Sequence, residues 1–520
     1  MELIKKNIHM DRIRNQAVSQ ITLEDDINVP EQKEDISSII FEKGTVLIDE
    51  VRPGVDAVYI RGRLVYDILY QTGEGSGGLV CLQGKLPFDE KVNLQEIRSI
   101  DNVMAEGSME DLSIHMINSR KLNLQTVLTL QIWAEELYDE ELPIGIYGEE
   151  TAQYRKEAVS PAQITVCKND IFRVKEEIGL PGNYPNIFQI LWSDVTLGDM
   201  DLRVLEGRIN VSGELKIFLL YEGEGEMRPI RSLEQILPIN GSLECHGCQE
   251  GMAADIRCIL APQDHGQPYL TVRPDADGEE RRIGVDLVLN IGIKLYEEER
   301  IEMLTDLYGV SKEIEALRKP CELRSLLGKI TGKTRISERV RVRNGSGVLQ
   351  LLYSEGKPYL EEQTAQENGI RISGSLQVRG LYITGSDETP YSSFQTQIPY
   401  HYTLEVPGMK PEDMGTVRVC VEQLQITMLD GEEMDVKAVL AFSTIVFSSR
   451  PREVIREVQV HDLDPAVMDS LPGMAVYVVK KGDNLWNIGR RYYLPVDRIK
   501  GLNQLESEEL KPGQKLLLVK

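Results

Sequence analysis

The residues best suited to chemistry form one tight cluster. Cys245-His246-Gly247-Cys248 sets two thiols on either side of an imidazole, and Cys258 and His265 follow further on. Thiolate and imidazole are zinc donors, so Cys245, Cys248, Cys258 and His265 could close a tetrahedral site. The spacing after Cys248 is not that of a standard zinc motif. The stretches after Pro87 and Pro399, which later prove to correspond, carry no such cysteines. A loop with incidental cysteines is the competing reading and the preferred one. The histidines (His9, His115, His246, His265, His401, His461) are scattered, none in a nucleophile or HExxH setting. Two glycine-rich stretches, GEGSGG at 73–78 and GEGE at 223–226, lack the Lys-Ser/Thr of a phosphate loop and read as hairpin turns. Paired acids such as Glu135-Glu136 and Glu297-Glu298-Glu299 read as solvated strand ends. The expectation is no catalytic residue, no metal and no cofactor.

Composition narrows the field further. The 520 residues carry 58 Lys+Arg against 83 Asp+Glu, a net charge of −25. So acidic a body repels phosphate backbones and anionic lipid, which argues against nucleic-acid or membrane-surface binding. With 41% apolar and 27% charged residues the chain is globular, long enough for three or four domains. No run approaches the ~18 apolar residues of a membrane span. MELIKKNIHMDRIRNQ at the N-terminus has no apolar signal core. An odd number of dispersed cysteines, seven, fits reduced thiols. The expected location is therefore the cytoplasm.

What positions these residues is an internal repeat. AVYIRGRLVYDILYQTGEG (57–75), RINVSGELKIFLLYEGEGE (208–226) and GIRISGSLQVRGLYITGSD (369–387) align. Gly62, Gly213 and Gly374 each precede a tyrosine (Tyr70, Tyr221, Tyr382) by the same gap, and Pro87, Pro238 and Pro399 follow at a second constant gap. Pro30 matches Pro181, and Phe41, Trp192 and Tyr353 fall in step. Apolar residues at every second position predict one long strand per copy, with its central glycine at a bulge or bend. The tyrosines are expected to be packed, with their hydroxyls hydrogen-bonded. Arg61, Arg63 and Asp67 should face solvent or a second layer. Each copy closes on another apolar strand: 127–137, 285–296 and 436–447. In the first copy, Pro30 to Gly44 reads as a short helical segment. The predicted fold is mainly β: three sandwich or open-barrel domains at 13–150, 160–310 and 320–449. They are pictured as an extended rod, with a linker at 450–473 and a small domain at 474–520.

The last segment reads strand, helix, helix, strand. Val476 to Val479 forms the first strand; Gly482 and Asp483 turn the chain, with Asp483 placed to cap a helix carrying Leu485, Ile488 and Tyr492. A second helix from about Val496 to Asn503 would bury Ile499 and Leu502. Pro512-Gly513 turns into a closing strand from Lys515. Nine Lys+Arg against five Asp+Glu give the segment +4, leaving −29 for the remainder. A basic module on an acidic body suits an acidic partner or an anionic polymer.

This tail resembles a LysM domain, through Tyr477-Val478-Val479, Lys481-Gly482-Asp483, Leu485-Trp486, Ile488, Leu502-Asn503 and Pro512-Gly513-Gln514. The resemblance implies a shallow groove for N-acetylglucosamine glycans. Its rims would be Gly482, Asp483, Asn484 and Leu485 on one side and Leu510, Lys511, Pro512 and Gly513 on the other, with Trp486 either core or interface. Asn484 replaces the family's usual Thr and Gly489 its usual Ala; the glycine weakens the first helix by ~1 kcal/mol. Three repeats ahead of a LysM resemble the clostridial spore-envelope proteins with SPOCS domains. That resemblance implies a scaffold in the mother-cell cytoplasm, at the forespore surface, whose LysM docks to the morphogenetic ATPase of the coat basement layer. A peptidoglycan- or cortex-binding protein is the alternative.

Overall fold

The computed structural model describes residues 1–73, 78–98, 101–148, 151–226, 228–342, 347–430 and 432–520. The first repeat contributes β1 (Glu2–Asn28), β2 (Ile36–Pro53), β3 (Ala57–Thr72), β4 (Leu79–Asn93), β5 (Val103–Asn118) and β6 (Lys121–Tyr147). The second adds β7 (Gln153–Val159), β8 (Ala162–Gly179), β9 (Ile187–Leu205), β10 (Arg208–Gly223), β11 (Ile230–Glu244), β12 (Ala253–Leu260), β13 (Leu270–Pro274), β14 (Glu280–Glu298) and β15 (Ile301–Tyr308). The third holds β16 (Lys312–Arg341), β17 (Val348–Gln366), β18 (Gly369–Thr384), β19 (Tyr391–Glu405), β20 (Met414–Gly415), β21 (Arg418–Met428) and β22 (Glu433–Asp462). The tail is α1 (Pro465–Ser470), β23 (Met474–Val478), α2 (Leu485–Tyr492), α3 (Val496–Leu502) and β24 (Lys515–Val519).

Each repeat is a sandwich. One sheet is a meander (β2-β3-β4, β9-β10-β11, β17-β18-β19) centred on the predicted strand. The other is built around the closing apolar strand (β1-β6-β5; β14 between β8 and β12/β13; β22 between β16 and β20/β21). In the first repeat the two inner faces supply one core, with Ile60, Leu64, Ile68 and Tyr70 of β3 against Leu124, Leu128 and Leu130 of β6. Alternation along the strands explains the burial: one face goes inward at every second residue.

The repeat glycines sit where the pattern placed them. Opposite each one the neighbouring strand slips register: Ile48/Glu50 across from Gly62, Gly213 itself, and Leu360/Glu362 across from Gly374. A Cβ on Gly62 would run into the Leu47 carbonyl and the Phe88 ring. Gly62→Val should therefore cost about 1–3 kcal/mol, read as a lower urea midpoint at unchanged slope. The tyrosines are packed as expected. Tyr70 Oη donates to the Glu34 carbonyl at 3.0 Å and Tyr221 Oη to the corresponding Pro185 carbonyl at 3.0 Å.

The helix expected between Pro30 and Gly44 is absent. Pro30 starts a single turn (Lys33 N to Pro30 O, 2.9 Å), and from Ile36 the chain is β2. An arginine on the opposite sheet decides this. Arg120 donates to the carbonyls of Lys33 (2.7 Å) and Pro30 (2.9 Å) and to Asp35 (2.9 Å). Arg281 repeats the clamp on Tyr184, Pro181 and Asn186. Carbonyls held outward in this way cannot enter a helical ladder. Of the two glycine-rich turns, Gly223–Glu226 leaves β10 in a turn; the middle of GEGSGG, 74–77, lies outside the described residues.

The repeats do not string out as a rod. Residues at corresponding places meet around an approximate threefold axis. Phe41, Trp192 and Tyr353 join Leu69, Leu220 and Leu381 in one buried cluster, the Phe41 ring lying 5.3 Å from Trp192 and 5.9 Å from Tyr353, both edge-on. Beside them, corresponding positions hold Lys43 and Asp194, which form an ion pair with the carboxylate buried and the lysine half-buried. Burial pulls the Lys43 pKa down, but the Asp194 carboxylate outweighs it and holds the ammonium above its ordinary value. Three copies on one chain can diverge into complementary charges where identical subunits would stack like ones.

A second layer comes from two-stranded ribbons: the ends of β1 and β6, the pair β7–β15, and the ends of β16 and β22. Ile8, Val159 and Cys321 meet Leu142, Met303 and Val454 there. Residues 450–462, expected as linker, are thus strand, paired with Lys312–Leu323, because Val454 and Ile455 have a core to enter. Likewise the first repeat begins at β1, ahead of residue 13. Between the layers, Asp11 of the first repeat accepts from Arg324 of the third (2.8 Å) and from Lys294 (3.3 Å) and Tyr296 (3.0 Å) of the second. Glu135, expected to be solvated, also pairs with Lys294 at 3.2 Å.

Candidate functional site

The zinc set is pulled apart by the fold. Cys245 and Cys248 are buried together beyond β11, where Cys248 Sγ donates to the Leu205 carbonyl at 3.1 Å. Burial, then the neighbouring Cys248, pushes the Cys245 thiol up to about 11, so it stays protonated at neutral pH. Cys258 lies on β12 and burial raises it to about 11. His265 reaches into the first repeat to meet Asp67 at 3.0 Å. Among the described residues no group of three or more His, Cys, Asp or Glu could hold a metal ion. The cysteines are packing, and His265 with Asp264 forms the second layer over β3, where Asp264 pairs with Lys85 and Arg63.

The tail keeps its predicted order, β23-α2-α3-β24, with the strands antiparallel from Met474↔Val519 to Val478↔Lys515. Leu485, Ile488, Ile499, Leu516 and Leu518 form its core. The cap differs from expectation. Asn484 is the N-cap, accepting from Asn487 N at 2.8 Å. Asp483 instead ties the first loop, accepting from Tyr477 Oη (2.7 Å) and Lys480 N (2.8 Å), which hold its carboxyl below the ordinary value. Asn484 therefore does the capping that the family's usual Thr would do. Leu502 is exposed rather than buried, because α3 turns it outward while Ile499 faces the core.

The two groove rims come together across the end of the β23–β24 ladder, where Gly513 N donates to the Val479 carbonyl at 2.8 Å and Val479 N to Gln514 O at 2.9 Å. Gly482, Lys511, Pro512 and Gly513 are exposed, and Asp483, Asn484 and Leu510 half-buried. Gly482 (φ 93°) and Gly513 (φ 85°) both sit in the left-handed region, so each rim turns on a residue that has no Cβ. Leu485 lies beneath, in the core. The rims thus offer an exposed polar surface with lysines on both sides (Lys480, Lys481, Lys511).

Trp486 does not belong to that surface. It is 5% exposed, on the opposite side of α2, packed on the end of the second repeat's ribbon. Its Nε1 donates to Asp306 Oδ2 at 2.7 Å; its ring meets Tyr308 edge-on at 4.7 Å, and the Arg155 guanidinium lies 4.7 Å from its centroid. Arg490 pairs with Asp306 and donates to the Leu307 carbonyl at 3.0 Å. Tyr308 Oη donates to the Leu494 carbonyl at 2.8 Å. Burial pushes the Asp306 carboxyl up, but hydrogen bonds from Arg490 and Trp486 and the charges of Arg490 and Arg318 outweigh it and leave its pKa lowered. Sequence reading missed Arg155, Asp306 and Tyr308. The only hint was Gly489, the departure from the family's alanine: a Cβ there would strike the Tyr308 hydroxyl.

The fold is that of a triplicated β-sandwich protein carrying a small βααβ module. The SipL, SPOCS domain family matches residues 35–117, 186–262 and 347–429, and the LysM domain family matches 477–519. The chain thus carries three SPOCS domains and a C-terminal LysM domain. It is 47% identical over 45 residues to the putative sporulation-specific glycosylase YdhD of Bacillus subtilis (strain 168), covering 9% of this chain and 11% of that protein. It is 38% identical over 50 residues to the uncharacterized protein YkzQ of the same organism, covering 10% of this chain and 67% of that protein. The chain therefore spans only a small part of the first relative's length. No solved structure matches it. Among the described residues no helix is long and apolar enough to cross a membrane.

Proposed function

We propose that the protein is a non-enzymatic scaffold and adaptor of spore-envelope assembly. It would act at the forespore surface in the mother cell, with its LysM domain docking to the coat basement-layer ATPase. The observation carrying this is the fusion itself: a basic, groove-bearing LysM on an acidic body of three SPOCS domains closed around one axis. Several groups that could have done chemistry have structural partners. Tyr70 and Tyr221 hold turns, Asp11 joins the repeats, and the Cys245 thiol is buried and protonated.

The test is localisation and capture from sporulating cells. Asp483→Lys breaks the ties to Tyr477 and Lys480 that shape the first rim. It should abolish recruitment while the melting transition of the repeats stays in place. Normal recruitment of a chain lacking 474–520 would end the adaptor reading.

A glycan-binding reading is favoured by a separate observation, the exposure of both rims with their two positive-φ glycines. A relative named as a putative sporulation-specific glycosylase is in keeping with it. Sedimentation with insoluble peptidoglycan, competed by chitooligosaccharide and lost in Asp483→Lys, would favour this reading.

A further inference from the structure

We infer that the end of the second repeat's ribbon is a built-in ligand of the LysM domain, a latch that closes the α2 face to outside partners while leaving the groove open. Trp486 and Gly489 are buried against it, and Arg490 is paired. Asp306 is the hub: it accepts from Trp486 Nε1 and Arg490, and from Arg318 at 2.7 Å. The site is particular to this ribbon. In the register, Asp306 stands across from Arg155; the corresponding pairs are Gly145 with Ile4 and Glu457 with Leu317. Neither of those pairs joins an acid to an arginine. Gly489 fits the same account, since the alanine usual in the family would collide with Tyr308.

The contact can open. It is built around one carboxylate and a few aromatic and arginine groups, and the connector from 463 to 473 holds only α1, which buries no residue. Eleven extended residues could reach about 35 Å. A partner that needs the α2 face meets only the open fraction of molecules, so its apparent affinity falls by that fraction. A ligand of the groove meets all of them. The latch rests on the geometry alone; naming the ATPase as the competitor rests on the adaptor reading.

The experiment is hydrogen–deuterium exchange on the full chain and on Asp306→Ala, with Glu302→Ala, an exposed position of the same strand, as control. Amides of 485–502 should exchange about tenfold faster in Asp306→Ala, with the β23–β24 ladder unchanged. Asp306→Arg should open the latch further, and adding Arg490→Asp should restore protection. Equal exchange across wild type, Asp306→Ala and Asp306→Arg would overturn the latch. Purified basement-layer ATPase should then bind Asp306→Ala about tenfold more tightly than wild type; equal affinities alongside faster α2 exchange would overturn the gating. An ATPase that bound no variant would sink the adaptor reading instead, and the exchange comparison would still decide the latch.

Discussion

Replacing Asp11 with alanine should cost about 3–5 kcal/mol, the range for removing one partner of a buried ion pair. Asp11 is a buried carboxylate on which all three repeats converge, through Arg324, Lys294 and Tyr296. Its loss leaves the Arg324 and Lys294 cations, themselves largely buried, without this partner. Lys294 keeps Glu135, at 3.2 Å, so the orphaned charge is mainly that of Arg324. The damage should fall on the joint between repeats rather than on any one sandwich. Chemical denaturation of Asp11→Ala should therefore show the single transition splitting or shifting to lower denaturant, with Asp11→Asn, which keeps one acceptor, in between. A midpoint within error of wild type would mean that the node does not hold the repeats together.

Trp192→Ala should be as severe, about 3–5 kcal/mol, because it empties a large buried place beside Phe41 in the cluster that joins the three repeats. Trp192→Phe should be far milder. The buried Trp192 Nε1 has no hydrogen-bond partner, so phenylalanine removes an orphaned donor while keeping a ring against Phe41. The first repeat already carries phenylalanine at this place, as Phe41. Thermal melts of both variants separate the explanations. If Trp192→Phe were as damaging as Trp192→Ala, the indole would be making a bond that its surroundings do not offer.

Much of the molecule was legible because its sequence repeats. Constant gaps around Gly62, Gly213 and Gly374 located the central strands, and period-two burial followed from the pleat. The tail's order and its turn glycines were equally plain, since local patterns specify a small βααβ module. The misreadings in the repeats share one cause. The turn after Pro30 looked helical because the clamp that forbids a helix comes from Arg120, on another sheet. Residues 450–462 looked like linker because their partner strand lies more than a hundred positions earlier. The four candidate zinc donors are close in sequence, yet His265 is drawn off by Asp67 of a different repeat.

By itself, then, the sequence determined the local order: three copies of one β-domain, a LysM tail, and a division of charge between them. Only the tertiary structure decided that the copies close on an axis through Phe41, Trp192 and Tyr353, and that Trp486 turns inward to Asp306. Those are contacts between segments far apart along the chain. Their energy depends on which surfaces are brought face to face, and spacing within a single segment carries no record of that.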